Sequence, residues 1–421
     1  MSGTLEFDGR SYLDGEASDP KLLGLMRGTP PPSTQRIRFE DDEFYKFPLI
    51  RWSLSHMREL VPTTNIWRGN VAPSALGTAA GKPGATLDAL QFETLDGKRM
   101  SFRQSLLDTY TDGILVMHRG RCVYERYCGE LEPQRPHACF SITKSYAATL
   151  AATLLHEGAL DESRLIPFYL PEMRATAYGD ATLRQVLDMQ VGVQYSETYA
   201  DPLAEIWQYG RAGGMRPRPA GYTGPTNFYD YLVTLKKEGA HGEAFAYKTI
   251  NTEVLCWVMT RVTGVAWSQL LSDRLWSQLG CEQDGYVSVD SIGVAMGGGG
   301  LNATLRDMAR FGELMRCEGS GGGRQIIPSA VVADIHRGAD PQKFDKAGYS
   351  LLPGYSYRNM WWVAPPAAGV IEGRGIYGQR LYIAPREQLV VARFASHPIA
   401  TSAANDPITL PAFAAIGRAL N

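Results

Sequence analysis

Cys139-Phe140-Ser141-Ile142-Thr143-Lys144-Ser145-Tyr146 is the stretch from which the rest of the chain can be read. Ser141 and Lys144 stand three apart, and Ala147, Leu150, Ala151, Leu154 and Leu155 follow at helical spacing up to a stop at Glu157-Gly158. The spacing predicts a helix whose first turn presents both side chains on one face. A serine there lies beside free backbone N–H groups and the positive end of the helix dipole, and a lysine one turn on can help its hydroxyl lose a proton. Those are the parts of an acyl-transfer site. The same spacing recurs in the polar Ser18-Asp19-Pro20-Lys21, so the pair needs support from the surrounding chain.

Composition narrows the setting. A chain of 421 residues can bury a large core and is long for one domain. Lys+Arg 42 against Asp+Glu 44 leaves a formal charge of -2, which gives no attraction for nucleic acid or an anionic membrane and suits a small or neutral ligand. The N-terminus lacks the basic residues and apolar run of a signal peptide, and no stretch is long and apolar enough to span a bilayer, so a cytoplasmic location is expected. The six cysteines are scattered, with no Cys-x-x-Cys and no paired histidines, so neither a metal site nor a disulfide framework is signalled.

Upstream of the helix, Thr29-Pro30-Pro31-Pro32-Ser33 and the acidic run Glu40-Asp41-Asp42-Glu43 read as a solvated, partly extended arm. Ile114 to Met117 and Cys122 to Tyr127, joined through Gly120, read as a hairpin that leads into the Ser141 helix. Downstream, Leu183 to Met189 is a short amphipathic helix, and the polar, aromatic stretch from Tyr195 to Tyr222 is of the kind that lines a pocket. Helices are expected over 252–262 and 267–279, and Thr304 with Asp307 caps another. Strand-like Met360 to Val363, Leu381 to Ile383 and Leu389 to Phe394 follow, so a helical middle is bracketed by sheet. Gly373-Arg374-Gly375-Ile376-Tyr377-Gly378 fits the dinucleotide fingerprint literally, but a strand follows it where a helix is required. A Gly-x-Ser-x-Gly elbow is missing, which excludes the usual Ser-His-Asp hydrolase.

Ser-x-x-Lys at a helix start, Tyr247-Lys248-Thr249 ahead of a second helix, the Thr304 to Leu314 stretch and a glycine-rich turn before a late strand occur in an order that resembles the beta-lactamase and penicillin-recognising serine hydrolases. Val186 to Gln190, Tyr199-Ala200-Asp201-Pro202 and Tyr377-Gly378-Gln379 look most like the 6-aminohexanoate-dimer hydrolases and related carboxylesterases of the class C type. The resemblance implies an α/β (α+β) fold, a mixed, mainly antiparallel sheet flanked by helices with an inserted helical domain. The divisions expected are an arm over 1–50, a sheet domain from 51–140 and 285–421, and a helical domain over 141–284, with the site at their interface.

The resemblance also assigns roles. It makes Ser141 the nucleophile, Lys144 its partner and Tyr247 a proton shuttle, with the backbone N–H groups of Ser141 and Ile376 as an oxyanion hole. Tyr199, Thr249, Asn251 and Tyr377 are its substrate-binding candidates. A cation next to Tyr247 would favour its deprotonated form. No cofactor or metal is implied, the partner is a small ester or amide, and a homodimer is left open. The departures Tyr247-Lys248-Thr249 for Tyr-x-Asn and Gly373-Arg374-Gly375 for Lys-Thr-Gly argue against beta-lactam turnover. A beta-lactamase or a catalytically silent penicillin-binding homologue is the alternative.

Overall fold

The computed structural model describes residues 3–78 and 83–421. Its main sheet has eight strands: β1 (Gly77–Thr78), β2 (Thr111–His118), β3 (Arg121–Tyr127), β4 (Ser356–Arg358), β5 (Trp361–Val363), β6 (Ile371–Gly375), β7 (Gln379–Ala384) and β8 (Leu389–Ala395). They lie in the order β4-β5-β6-β7-β8-β2-β3-β1, antiparallel except for the β1 edge. The sequence explains the centre. β2 reads Thr-Asp-Gly-Ile-Leu-Val-Met-His and is buried through Met117, the continuous apolar run of a strand covered on both faces. β2 and β3 turn through Arg119 and Gly120, whose φ angles of 51° and 75° match the right-handed twist of the hairpin.

Five helices position the site: α1 (Ile142–His156), α2 (Glu205–Ala212), α3 (Ile250–Thr263), α4 (Leu305–Arg316) and α5 (Asp406–Leu420). α4 is capped by Thr304, whose side chain accepts from the Asp307 N–H, and it lies on β2, β7 and β8. Gly312 makes that approach close, since a Cβ there would stand 2.6 Å from Val390 Cγ1. α5 covers the other face with Phe413 and Ile416 against Ile114, Val116 and Val391. α1 is apolar almost all round and buried from Ile142 to Leu154, as a helix packed on several sides must be. It contacts α3, and its start meets β6, where a Cβ at Gly373 would lie 3.2 Å from Ile142 Cγ2. α3 ends on Gly264 at φ 70°, a left-handed stop that glycine adopts freely.

The first fifty residues differ from the solvated arm expected of them. Pro30 and the acidic Glu40, Asp41 and Glu43 do face solvent. Leu25, Ile37, Phe44 and Ile50 are buried, however, in a cluster with Trp52, Met57, Phe140, Met215 and Tyr377. The apolar residues are too far apart in sequence to form a periodic pattern, so their burial depends on surfaces supplied from elsewhere in the chain.

Candidate active site

A second, four-stranded sheet holds the approach to Ser141. His137–Ala138 pairs with Leu301–Ala303, the Cys139 N–H donates to the Leu301 carbonyl at 2.9 Å, and the Leu301 N–H donates to Thr143 Oγ1 at 3.1 Å. Phe140 then takes φ 43°, a left-handed conformation uncommon outside glycine, and swings the chain into α1 with Ser141 at its N-cap. The Ser141 side chain caps nothing, which leaves its hydroxyl for other partners.

Lys144 is fully buried and donates to Ser141 Oγ at 2.8 Å and to the Gly298 carbonyl at 2.5 Å. Burial lowers its pKa to about 8, against the pull of the Glu197 and Glu253 carboxylates. Tyr247 lies beside them, its ring 5.1 Å from the Lys144 ammonium and stacked on Trp362. Burial raises the Tyr247 pKa well above the ordinary value, the Glu197 charge adds to that, and the nearby Ser141 hydroxyl only partly opposes it. The expectation of a deprotonated Tyr247 is therefore corrected: desolvation outweighs the nearby cation, and the phenol rests neutral while Lys144 is the group near its titration point.

Two residues missed in the sequence set this electrostatics. Glu253 accepts from the N–H groups of Gly297 and Gly298 at 3.0 and 2.7 Å and from the Tyr209 hydroxyl at 2.5 Å, which fixes the turn whose carbonyl takes Lys144. Gly298 has no room for a side chain, because a Cβ would lie 2.3 Å from Thr249 Cγ2. Glu197 accepts from the Thr249 N–H and lines the cleft with Tyr247. Glu253 could have been noticed as the one acid in a helix whose first ten residues are buried; Glu197 carries no such signal.

β6 brings in Ile376. At Gly375 a Cβ would meet the Cys139 carbonyl oxygen at 2.7 Å, so glycine is what lets the end of this strand run against the segment before Ser141. Among the described residues, neither the Ser141 nor the Ile376 N–H donates to a protein acceptor. Tyr377 follows at φ 60° with its N–H on the Ala400 carbonyl.

Two cavities meet at Ser141, Tyr199 and Ile376. One, of about 760 Å³, is lined by Tyr45, Phe140, Trp207, Met215, Thr249 and Tyr377. The other, of about 1100 Å³, is lined by Glu197, Tyr247, Tyr349, Leu352, Trp362 and Arg374. The substrate-binding candidates Tyr199, Thr249 and Tyr377 thus reach the cleft. Asn251 does not. It is fully buried, accepts from the Tyr178 hydroxyl at 2.8 Å and lies outside both linings, because two residues along α3 from Thr249 is nearly the opposite face.

Residues 104–410 match the Beta-lactamase family, and the chain belongs to that family of serine hydrolases. It is 33% identical over 358 residues to the 6-aminohexanoate-dimer hydrolase of Paenarthrobacter ureafaciens, covering 85% of this chain and 88% of that one. A Bacillus anthracis structure provisionally described as a 6-aminohexanoate-dimer hydrolase superposes with a TM-score of 0.83 at 30% identity, over 93% of this chain and 99% of that one. EstCE1, a hydrolase with promiscuous acyltransferase activity, shares the fold with a TM-score of 0.59 at 15% identity, over 75% of this chain and 96% of that one. The protein is a serine hydrolase.

Proposed function

We propose that the protein cleaves a carboxylic ester or a linear amide of the 6-aminohexanoate-oligomer kind through an acyl-serine at Ser141. The observation that carries this reading is the 2.8 Å contact from Lys144 Nζ to Ser141 Oγ, made by an amine whose pKa has fallen to about 8. In its neutral form Lys144 accepts the Ser141 proton as Oγ attacks the carbonyl carbon, and the Ser141 and Ile376 N–H groups hold the oxyanion. Collapse of the adduct breaks the bond to the leaving group. Tyr247 gives that group a proton and regains one from Lys144. Water then attacks the acyl-enzyme by the same path in reverse.

Substrate preference follows from the leaving group. An activated ester leaves with little help, whereas an amide nitrogen must be protonated in line. On one preparation, kcat/KM is expected to be highest for a short-chain nitrophenyl ester, measurable for a linear ω-amino amide and lowest for nitrocefin. Nitrocefin turning over fastest would return the protein to the beta-lactamase alternative.

The acid limb of the pH profile should report Lys144. Activity requires the neutral amine, so kcat/KM is expected to rise with pH and level off above about 8. The Glu197 carboxylate holds that pKa up, so Glu197→Gln is expected to shift the limb to lower pH. A limb that stays put, or moves alkaline, in this variant would assign it to another group.

A further inference from the structure

The family match begins at residue 104, so the N-terminal segment lies wholly outside it, yet that segment builds one side of the reaction cleft. Tyr45 lines the smaller cavity. Its ring lies 4.3 Å from that of Phe44, which is fully buried, and 6.0 Å from that of Phe140, the residue before Ser141. Asp42 holds Arg216 with two hydrogen bonds, the one from Nε at 2.8 Å, and the Arg216 guanidinium lies 4.5 Å over the Trp207 ring. Trp207 and Met215, with Arg216 itself, form another part of the wall of the same cavity. A fork of two bonds fixes direction as well as distance, so this ion pair sets how far residues 42–45 stand from that wall.

The two cavities differ in what they can receive. Tyr247 lines the larger one and is absent from the lining of the smaller. The group that leaves must sit beside its proton donor, which assigns the larger cavity to the leaving group and the smaller to the acyl group. Met57, Phe140, Met215, Met296 and Trp207 make the smaller cavity predominantly apolar.

We infer that Tyr45 is a specificity-determining residue for the acyl group: the N-terminal segment closes an apolar acyl cavity, and the Tyr45 ring limits the chain length it accepts. This rests on the acyl-serine reading above. It adds to that reading the chemistry of the acyl group, an apolar chain, and the element that selects it.

The test is a series of nitrophenyl esters from acetyl to decanoyl, with the leaving group constant, run beside a series of alkyl acetates with the acyl group constant. Tyr45→Ala is expected to raise the decanoyl-to-acetyl ratio of kcat/KM by about tenfold, while its preference among the alkyl acetates follows that of the wild type. Tyr45→Phe keeps the ring and should reproduce the wild-type profile, and Tyr45→Trp should move the ratio the other way. An unchanged acyl profile in Tyr45→Ala and Tyr45→Trp, with the wild type active, overturns this inference alone. A shift in the alkyl acetate series instead places the leaving group in this cavity and also overturns it. Absence of any Ser141-dependent turnover in the wild type overturns the acyl-serine reading and this inference together.

Discussion

Ser141→Ala is expected to lower kcat for a nitrophenyl ester by about 10⁵-fold or more, and to abolish covalent labelling by a serine-directed phosphonate. The size follows from how such sites fail. Removing the nucleophile closes the covalent route altogether, and what remains comes from binding and the oxyanion donors. Ser141 is partly buried at the junction of the two cavities, and its hydroxyl takes the Lys144 hydrogen bond without serving as a helix cap. The change to alanine removes one oxygen and leaves the helix intact. Intact-mass spectrometry should show a single phosphonate adduct on the wild type and none on the variant. An adduct that survives the substitution would place the nucleophile elsewhere.

Lys144→Ala is expected to lower kcat by about 10³–10⁴-fold, the range of a positioned acid–base group that also orients its neighbour. KM for a small ester should change far less, since the buried ammonium lines neither cavity. Truncation also leaves the Gly298 carbonyl without its donor, Glu253 without its nearby cation and Glu197 with only Lys248. Some loss of stability therefore accompanies it. A thermal melt alongside the kinetics separates the two effects: turnover should be lost well below the melting transition, where the variant is folded. Turnover within tenfold of wild type would remove Lys144 from the proton path.

The parts of this site that could be read in the sequence are those set by local geometry. Ser141 and Lys144 share a helix turn, so three residues of spacing are enough to bring them together, as the 2.8 Å contact shows. The hairpin around Gly120, the strands Trp361–Val363, Gln379–Ala384 and Leu389–Ala395 and the Thr304 cap were legible for the same reason, whereas the glycine-rich Ile371–Gly375 reads as a turn and is a strand. What the sequence hid is non-local. Glu197 meets Thr249 across about fifty residues, and Asp42 meets Arg216 across 174 positions. No periodicity encodes either contact. The proline and acidic runs made the first fifty residues look solvated, because composition registers how polar a segment is and not which distant surface its few apolar side chains will find. Asn251 differs again: the resemblance assigned it to substrate binding, and the helical twist carries it away from the cleft.

The strand order also governs how the molecule can be made. β2 emerges early from the ribosome, and its partner β8 is roughly 270 residues behind it, which at ordinary elongation rates is about 15–50 s of synthesis. Through that interval the buried strand Thr111–His118 carries one open edge and two apolar faces, the kind of surface that associates with other nascent chains. Ser141 leaves the ribosome long before Ile376, so the proposed nucleophile lacks its proposed second oxyanion donor until β6 has been threaded into place. The sheet that covers the apolar strand and the proposed site are thus completed by the same late strands.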